Sequence, residues 1–267
     1  MSKIVVITGA SSGIGKSMAL YLTSKGFKVY GTCRDPKKYD INSFKLLKCN
    51  INNPIEIKEF IDRVIKKEGR IDVLINNAGI GITGPIEETS ELDMKSAFQT
   101  NFFGPISIIK ECLPSMREKK YGLIINITSV LGYFGTPYRG IYSATKSSLE
   151  MIGEVFNMEL KKFNIKVVNV APGDFKTNIA SRRIDSELNK NSIYIEDYSK
   201  IINSANKHVD NAGSPIEISK LIFKIIESKN PKIHYKVGSF IQKFSIILKS
   251  ILPDRLFEKI LLYYSNK

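Results

Sequence analysis

Short β-branched runs alternate with amphipathic stretches along most of the chain. KIVVI (3–7), FKVYGTC (27–33), FKLLKC (44–49), IDVLINN (71–77), GLIINIT (122–128) and IKVVNVA (165–171) read as strands. Near-continuous apolar runs of this kind mark strands buried on both faces of a parallel sheet. Helical periodicity fills the intervals. In IEIKEFIDRVIKKEG (55–69), Ile57, Phe60, Ile61, Val64 and Ile65 fall on one stripe. Strand, helix, strand repeated in this order predicts right-handed crossovers with helices on both sheet faces, a doubly wound α/β fold.

Two stretches depart from the alternation. From Asn178 to about Gly213 the chain is polar and weakly periodic and holds Arg182 and Arg183; a long segment of this kind in a compact domain is usually functional, and 178–214 is read as a substrate lid. After HYKVG (234–238), Phe240, Ile241, Phe244, Ile247, Leu248 and Ile251 recur at helical spacing, and Pro253 with Asp254 is expected to end one helix and begin another. No internal repeat or Pro/Gly/Ser-rich linker divides the chain. Residues 1–238 are expected to form one domain and 239–267 an amphipathic helical extension.

Composition adds limits. Hydrophobic residues at 43% and charged residues at 25% are ordinary for a globular protein and exclude a disordered or fibrous chain. Cys33, Cys49 and Cys112 are widely spaced and form no CxxC or Cys/His pattern, so neither a disulfide framework nor a metal site is expected. The apolar start, MSKIVVITGASSG, is too short for a signal peptide, and no window nears the roughly 18 apolar residues of a membrane span, so a cytoplasmic location is expected. Forty Lys and Arg against 26 acids leave a formal net charge of +14. The excess is dispersed, without basic runs interleaved with aromatics, and no nucleic-acid partner is expected.

The first strand runs into TGASSGIG and then a helical pattern. Gly9, Gly13 and Gly15 allow a tight turn and let backbone N–H groups approach a pyrophosphate at the positive end of the helix, with Ser11, Ser12 and Ile14 in the same loop. This strand–turn–helix context is the one a dinucleotide fingerprint requires. TGASSGIG is followed by NNAG (76–79), Asn101, Ser129, YSATK (142–146) and PG (172–173). From Lys3 to Thr177 the chain therefore resembles the short-chain dehydrogenase/reductase family, with motifs in register, which implies a Rossmann-type cofactor and catalytic domain.

The resemblance places Asn50 and Ile51 beside an adenine, although many relatives have Asp where this chain has Asn50. It places Asn77, Ala78 and Gly79 against the adenosine half, and Pro172, Gly173, Phe175 and Thr177 in the nicotinamide loop. At the end of the second strand, Cys33 stands where NAD-preferring relatives carry an acid, and Arg34 follows. A guanidinium suits a ribose phosphate, so NADP(H) is expected; Asp35 keeps NAD(H) as the alternative.

Tyr142 and Lys146 are four apart on a predicted helix and share a face. A neighbouring ammonium, aided by an oxidised nicotinamide, favours the phenolate and is expected to bring the phenol below its ordinary value near 10. Tyr142 would then pass a proton to a carbonyl oxygen as hydride reaches the carbon, with Ser129 holding that oxygen. Asn101 resembles the family's fourth catalytic residue, which keeps a relay water. The expected function is NADP(H)-dependent hydride transfer to a carbonyl, or from a secondary alcohol. Tyr133, Phe134 and Tyr138 point to an apolar substrate of steroid, retinoid or fatty type. The alternative from another class is a non-catalytic sensor of dinucleotide. His208 and His234 are expected to lack partners that would make them ligands or bases. The resemblance further implies a homo-oligomer, dimer or tetramer, joined through the helices carrying Asn101 and Tyr142. The C-terminal stripe admits either peripheral membrane contact or packing on the protein's own sheet or a neighbouring subunit.

Overall fold

The computed structural model describes residues 2–176, 183–210 and 212–265. The apolar runs form β1 (Ile4–Ile7), β2 (Lys28–Cys33), β3 (Lys45–Lys48), β4 (Val73–Asn76), β6 (Gly122–Ile127) and β7 (Ile165–Pro172). With β9 (His234–Val237) they make one sheet in the order β3-β2-β1-β4-β6-β7-β9, parallel throughout. The order reverses between β1 and β4, which opens a crevice beyond the carboxyl ends of the strands. Two short strands, β5 (Ile82–Thr83) and β8 (Ile184–Asp185), pair apart from this sheet.

Successive residues of β1 feed opposite cores, as strand geometry requires. Val5 and Ile7 pack with Met18 and Leu22 of α1 (Gly13–Ser24) and with Ile222 and Ile225 of α7 (Ile216–Glu227). Ile4 and Val6 pack with Phe60 and Ile61 of α2 (Pro54–Glu68) and with Ile108 and Cys112 of α4 (Gly104–Glu118). The apolar stripe read for 55–69 is thus the buried face of α2. That helix begins at Asn53, whose side chain accepts from the N–H groups of Ile55 and Glu56, and ends at Gly69 with φ +73°.

A polar line crosses the sheet interior. Asn76 donates to Asn126 at 3.0 Å, Asn126 donates to Asn169 at 3.0 Å, and Asn169 donates to the Glu150 carbonyl of α5 (Gly140–Glu159) at 2.7 Å. The strand register sets Asn76, Asn126 and Asn169 side by side on β4, β6 and β7. Gly153 belongs to this junction, since a Cβ there would lie 2.7 Å from the Asn169 amide nitrogen. The ladder therefore seats the helix that carries Tyr142.

All three cysteines are buried, and burial raises each thiol, Cys49 to about 12, which leaves them protonated and inert at neutral pH. The segment read as a weakly periodic lid contains β8 and a regular helix, α6 (Ile195–Asp210). Its strand docks on β5, a pairing with a distant segment that local periodicity does not encode. The break at Pro253 and Asp254 separates α8 (Phe240–Ile251) from α9 (Asp254–Ser265). Among the described residues no helix is long and apolar enough to cross a membrane. The remaining helix, α3 (Glu91–Phe98), leads through a π-helical turn, Gln99–Phe103, into α4.

Candidate active site

A cavity of about 750 Å³ opens at the sheet crevice and reaches from the loop after β1 to Arg183, Ile201 and Ser204. At its first end the chain passes through Gly9 at φ +67°, where a Cβ would come within 2.9 Å of Ala78 Cα. At Gly15 a Cβ would lie 2.5 Å from Asn77 Nδ2 and strike the Gly9 carbonyl oxygen. Side chains are thus excluded from both positions. Asn77 does not face the cavity as a free amide: it donates to Thr8 O at 2.8 Å and Gly9 O at 3.2 Å, and the Thr8 hydroxyl accepts from the N–H groups of Asn77 and Ala78. Asn77 braces the glycine loop. α1 has no acid in its first turn, so its positive end opposes no anion placed there. Ser11, Ser12, Gly13, Ile14 and Gly79 complete this wall.

Arg34 stands exposed at the end of β2 on the cavity edge. Asp35 is engaged elsewhere, accepting from the Lys37 N–H at 3.2 Å and lying 3.8 Å from Lys38. Among the described residues Arg34 makes no hydrogen bond or ion pair. A planar cation held open at this point fits a ribose phosphate. Asn50 and Ile51 also line the cavity, with Asn50 Oδ1 accepting from the Asn52 N–H at 3.1 Å. An adenosine and its pyrophosphate therefore fit the residues present.

The other end holds the candidate catalytic residues. β6 delivers Ser129, and the first turn of α5 delivers Tyr142. Ser129 and Tyr142 face the same end of the cavity, and the Ser129 hydroxyl accepts from the Leu131 N–H at 3.2 Å. Lys146, one turn on and buried, donates from Nζ to the Ile127 carbonyl at 3.0 Å and lies 5.9 Å from the centre of the Tyr142 ring. Burial lowers the Lys146 ammonium to about 8, partly opposed by Glu150. The expectation that Lys146 brings the phenol down is corrected here. Burial pushes Tyr142 up, against the opposing pull of the Ser129 hydroxyl and the Arg139 guanidinium, because the cost of a buried phenolate exceeds the help of its neighbours. Asn101 sits in the π-helical turn, a distortion often found at functional sites. Its Oδ1 accepts from the Ile80 N–H at 2.8 Å, and its Nδ2 donates to Ile80 O at 2.9 Å and Thr145 Oγ1 at 3.1 Å. The loop after β4 is thereby tied to α5.

The chain matches the short chain dehydrogenase family over residues 3–188. It is a short-chain dehydrogenase/reductase. The "3-ketodihydrosphingosine reductase" of Bacteroides thetaiotaomicron is 39% identical over 257 residues, covering 96% of this chain and 95% of that protein. Among solved structures, a short-chain dehydrogenase from Streptomyces avermitilis superposes with a TM-score of 0.83 at 29% identity, over 94% of each chain. ElxO with NADP bound superposes with a TM-score of 0.73 at 27% identity, over 89% of this chain and 97% of that one. As a member of this family the protein is an oxidoreductase acting between a nicotinamide cofactor and a small carbonyl or alcohol substrate.

The short-chain dehydrogenase/reductase site differs from its sequence reading in several places. Pro172, Gly173 and Phe175 line the cavity, and Phe175 also belongs to the core; Thr177 and Arg182 lie outside the described residues, as does the His208 side chain. Phe134 faces the cavity, but Tyr133 turns away to donate to Glu150 at 2.5 Å. Tyr138 packs edge-on against Tyr198 of α6, ring centres 5.4 Å apart. His234 has partners after all: Nδ1 lies 2.7 Å from Glu150 and Nε2 3.3 Å from Glu154. Their separations of 84 and 80 positions hid the pairing from the sequence. Among the described residues no group of His, Cys, Asp or Glu is disposed to hold a metal. Arg139 and Asp174 were missed altogether. Arg139 lines the cavity beside Tyr142 at the entry to α5, and Asp174 is held by Gln242 of α8, whose Nε2 donates to it at 2.7 Å.

Proposed function

We propose that this protein is an NADP(H)-dependent reductase of a long-chain ketone with a polar head, 3-ketodihydrosphingosine being the specific candidate. The observation that carries the reading is that Ser129, Tyr142 and buried Lys146 line one end of a cavity whose other end presents Arg34. Support for the apolar chain comes from Ile80, Ile82, Leu131, Phe134 and Ile201 in the cavity wall. The 39% identity to a protein of that named activity supports the specific candidate. Its amino group, next to the ketone, would meet the Asp174 carboxylate.

Gly9, Ser11, Ser12, Gly13, Ile14 and Gly15 would hold the pyrophosphate, Arg34 the ribose phosphate, and Asn50 and Ile51 the adenine. NADPH supplies the hydride when bound. Tyr142, kept protonated by burial, donates its phenolic proton to the carbonyl oxygen, and the product is the alcohol. Ser129 donates a hydrogen bond to the same oxygen and offsets its growing negative charge. Lys146, close to neutrality, is poised to return a proton to Tyr142. Asn101 keeps the strand-end loop and α5 in register around this group.

The test follows NADPH absorbance with 3-ketodihydrosphingosine in detergent micelles, beside short ketones and a sugar. Turnover should favour the long-chain ketone and NADPH over NADH. Preference for the sugar would overturn the substrate class. Cofactor binding without turnover on any carbonyl would favour the dinucleotide sensor.

A further inference from the structure

α8 is turned inside out for a surface helix. Two of its polar residues face the protein: Gln242 and Ser245 line the cavity, and Ile246 is buried. Its other side carries an outward apolar stripe: Phe240, Phe244, Ile247 and Ile251 are 76%, 41%, 49% and 66% exposed, and Phe240 stacks on Phe244 at 5.6 Å. A surface helix normally buries its apolar stripe and wets the other face. Among the described residues the fold leaves these four side chains uncovered, and packing on the protein's own sheet does not bury them.

Charge identifies the occupant. Lys243 flanks the α8 stripe, and α9 continues the surface with exposed Arg255 and Lys259 beside exposed Leu256 and Leu262. Within α8 and α9, Lys243, Lys249, Arg255 and Lys259 stand against Asp254 and Glu258, and Lys249 pairs with Asp254 at 2.6 Å. Two copies of such a face would repel one another, whereas lipid phosphates attract it. The same helices border the cavity, since Gln242, Ser245 and Tyr264 are part of its wall.

We infer that the outward face of α8 and α9 docks on an anionic phospholipid bilayer, with the cavity mouth held at the lipid surface. Phe240, Phe244, Ile247 and Ile251 enter the acyl boundary, while Lys243, Arg255 and Lys259 meet headgroup phosphates. Delivery of substrate from the bilayer rests on the long-chain reading above; the docking does not.

The chain contains no tryptophan, so Phe240→Trp introduces a single reporter. Its emission should shift to the blue, and brominated lipid should quench it, on vesicles of phosphatidylcholine with phosphatidylglycerol. Phosphatidylcholine alone or added salt should weaken the response. A control, Ile55→Trp on α2, which packs against α4 and β3, should not respond. The triple variant Phe240→Ser, Phe244→Ser, Ile247→Ser should lose vesicle binding by roughly tenfold or more. Because none of these three lines the cavity, turnover of a water-soluble ketone should stay at wild-type level. The inference is overturned if full-length protein ignores anionic vesicles at low salt, or if the triple variant binds as well as wild type. It is overturned equally if that variant changes only the oligomer mass, which would make the face a subunit interface. Vesicle binding without reduction of a long-chain ketone would refute the substrate reading and leave the docking intact.

Discussion

Tyr142 lines the cavity with Ser129 and lies a helical turn from Lys146, and the proposed reaction has its phenol give the proton to the reacting oxygen. Tyr142→Phe is expected to lower turnover by about 10²- to 10⁴-fold, the range for a lost general acid, and to leave NADPH binding nearly unchanged; steady-state rates and a binding titration check both. Arg34→Ala is expected to weaken NADP(H) by about 1.5–3 kcal/mol, the range for hydrogen bonds to a charged group, without affecting NAD(H). Equal loss for both cofactors would make Arg34 structural. Lys146 carries a pH signature. Its folded-state value of about 8 lies below the ordinary lysine value of 10.5, so from pH 8 to 10.5 the unfolded chain binds the extra proton and wild-type stability rises with pH. The stability advantage of Lys146→Met over wild type should therefore shrink across that window by on the order of 3 kcal/mol. Urea midpoints that keep a constant separation would refute the depressed value. Tyr142, Lys146, Ser129 and Arg34 were all readable as residue types at motif spacing. Arg139 and Asp174 were not, because nothing local distinguishes a cavity-lining charge from a solvated one.

At the scale of elements, the asparagine ladder links β4, β6 and β7 to α5. Asn126→Leu removes the middle rung and leaves the Asn76 donor and the Asn169 acceptor without each other's bridge in a dry interior. A loss of about 1–3 kcal/mol per unsatisfied group is expected from denaturant unfolding, with reduced turnover as α5 shifts. A neutral substitution would show that the ladder does not seat the helix. The strands were legible from the apolar runs, and α2 from its stripe and its Asn53 and Gly69 ends. The ladder was not, since an Asn in a strand shows its partners only after the register is known. β8 and the regularity of α6 were also hidden, as the one depends on pairing with β5 and the other on docking beside Tyr138.

On the scale of the whole molecule, Met151 and Met158 of α5 and Phe103 at the start of α4 are exposed. These are the helices expected to join subunits, and they are separate from the basic face of α8 and α9. Light scattering is expected to give at least twice the 30.1 kDa chain mass, and Met151→Asp with Met158→Asp to shift it toward the monomer. A monomer for the unaltered protein would contradict the expectation.

The sequence by itself determined whatever is carried by residues within a few positions of one another: strand-forming runs, helix stripes and ends, the glycine turn, and the four-residue spacing of Tyr142 and Lys146. Backbone sterics and side-chain periodicity act over that range, and they leave their marks locally. Only the tertiary structure decided which distant groups meet. It set Glu150 against His234, turned Tyr133 away from the cavity, spent Asn77 on the glycine loop, and made burial outweigh the polar neighbours of Tyr142. It also decided that the apolar side of α8 faces outward, because a helix's periodicity states that two faces differ, and only the polar cavity wall at Gln242 and Ser245 fixes which of them turns in.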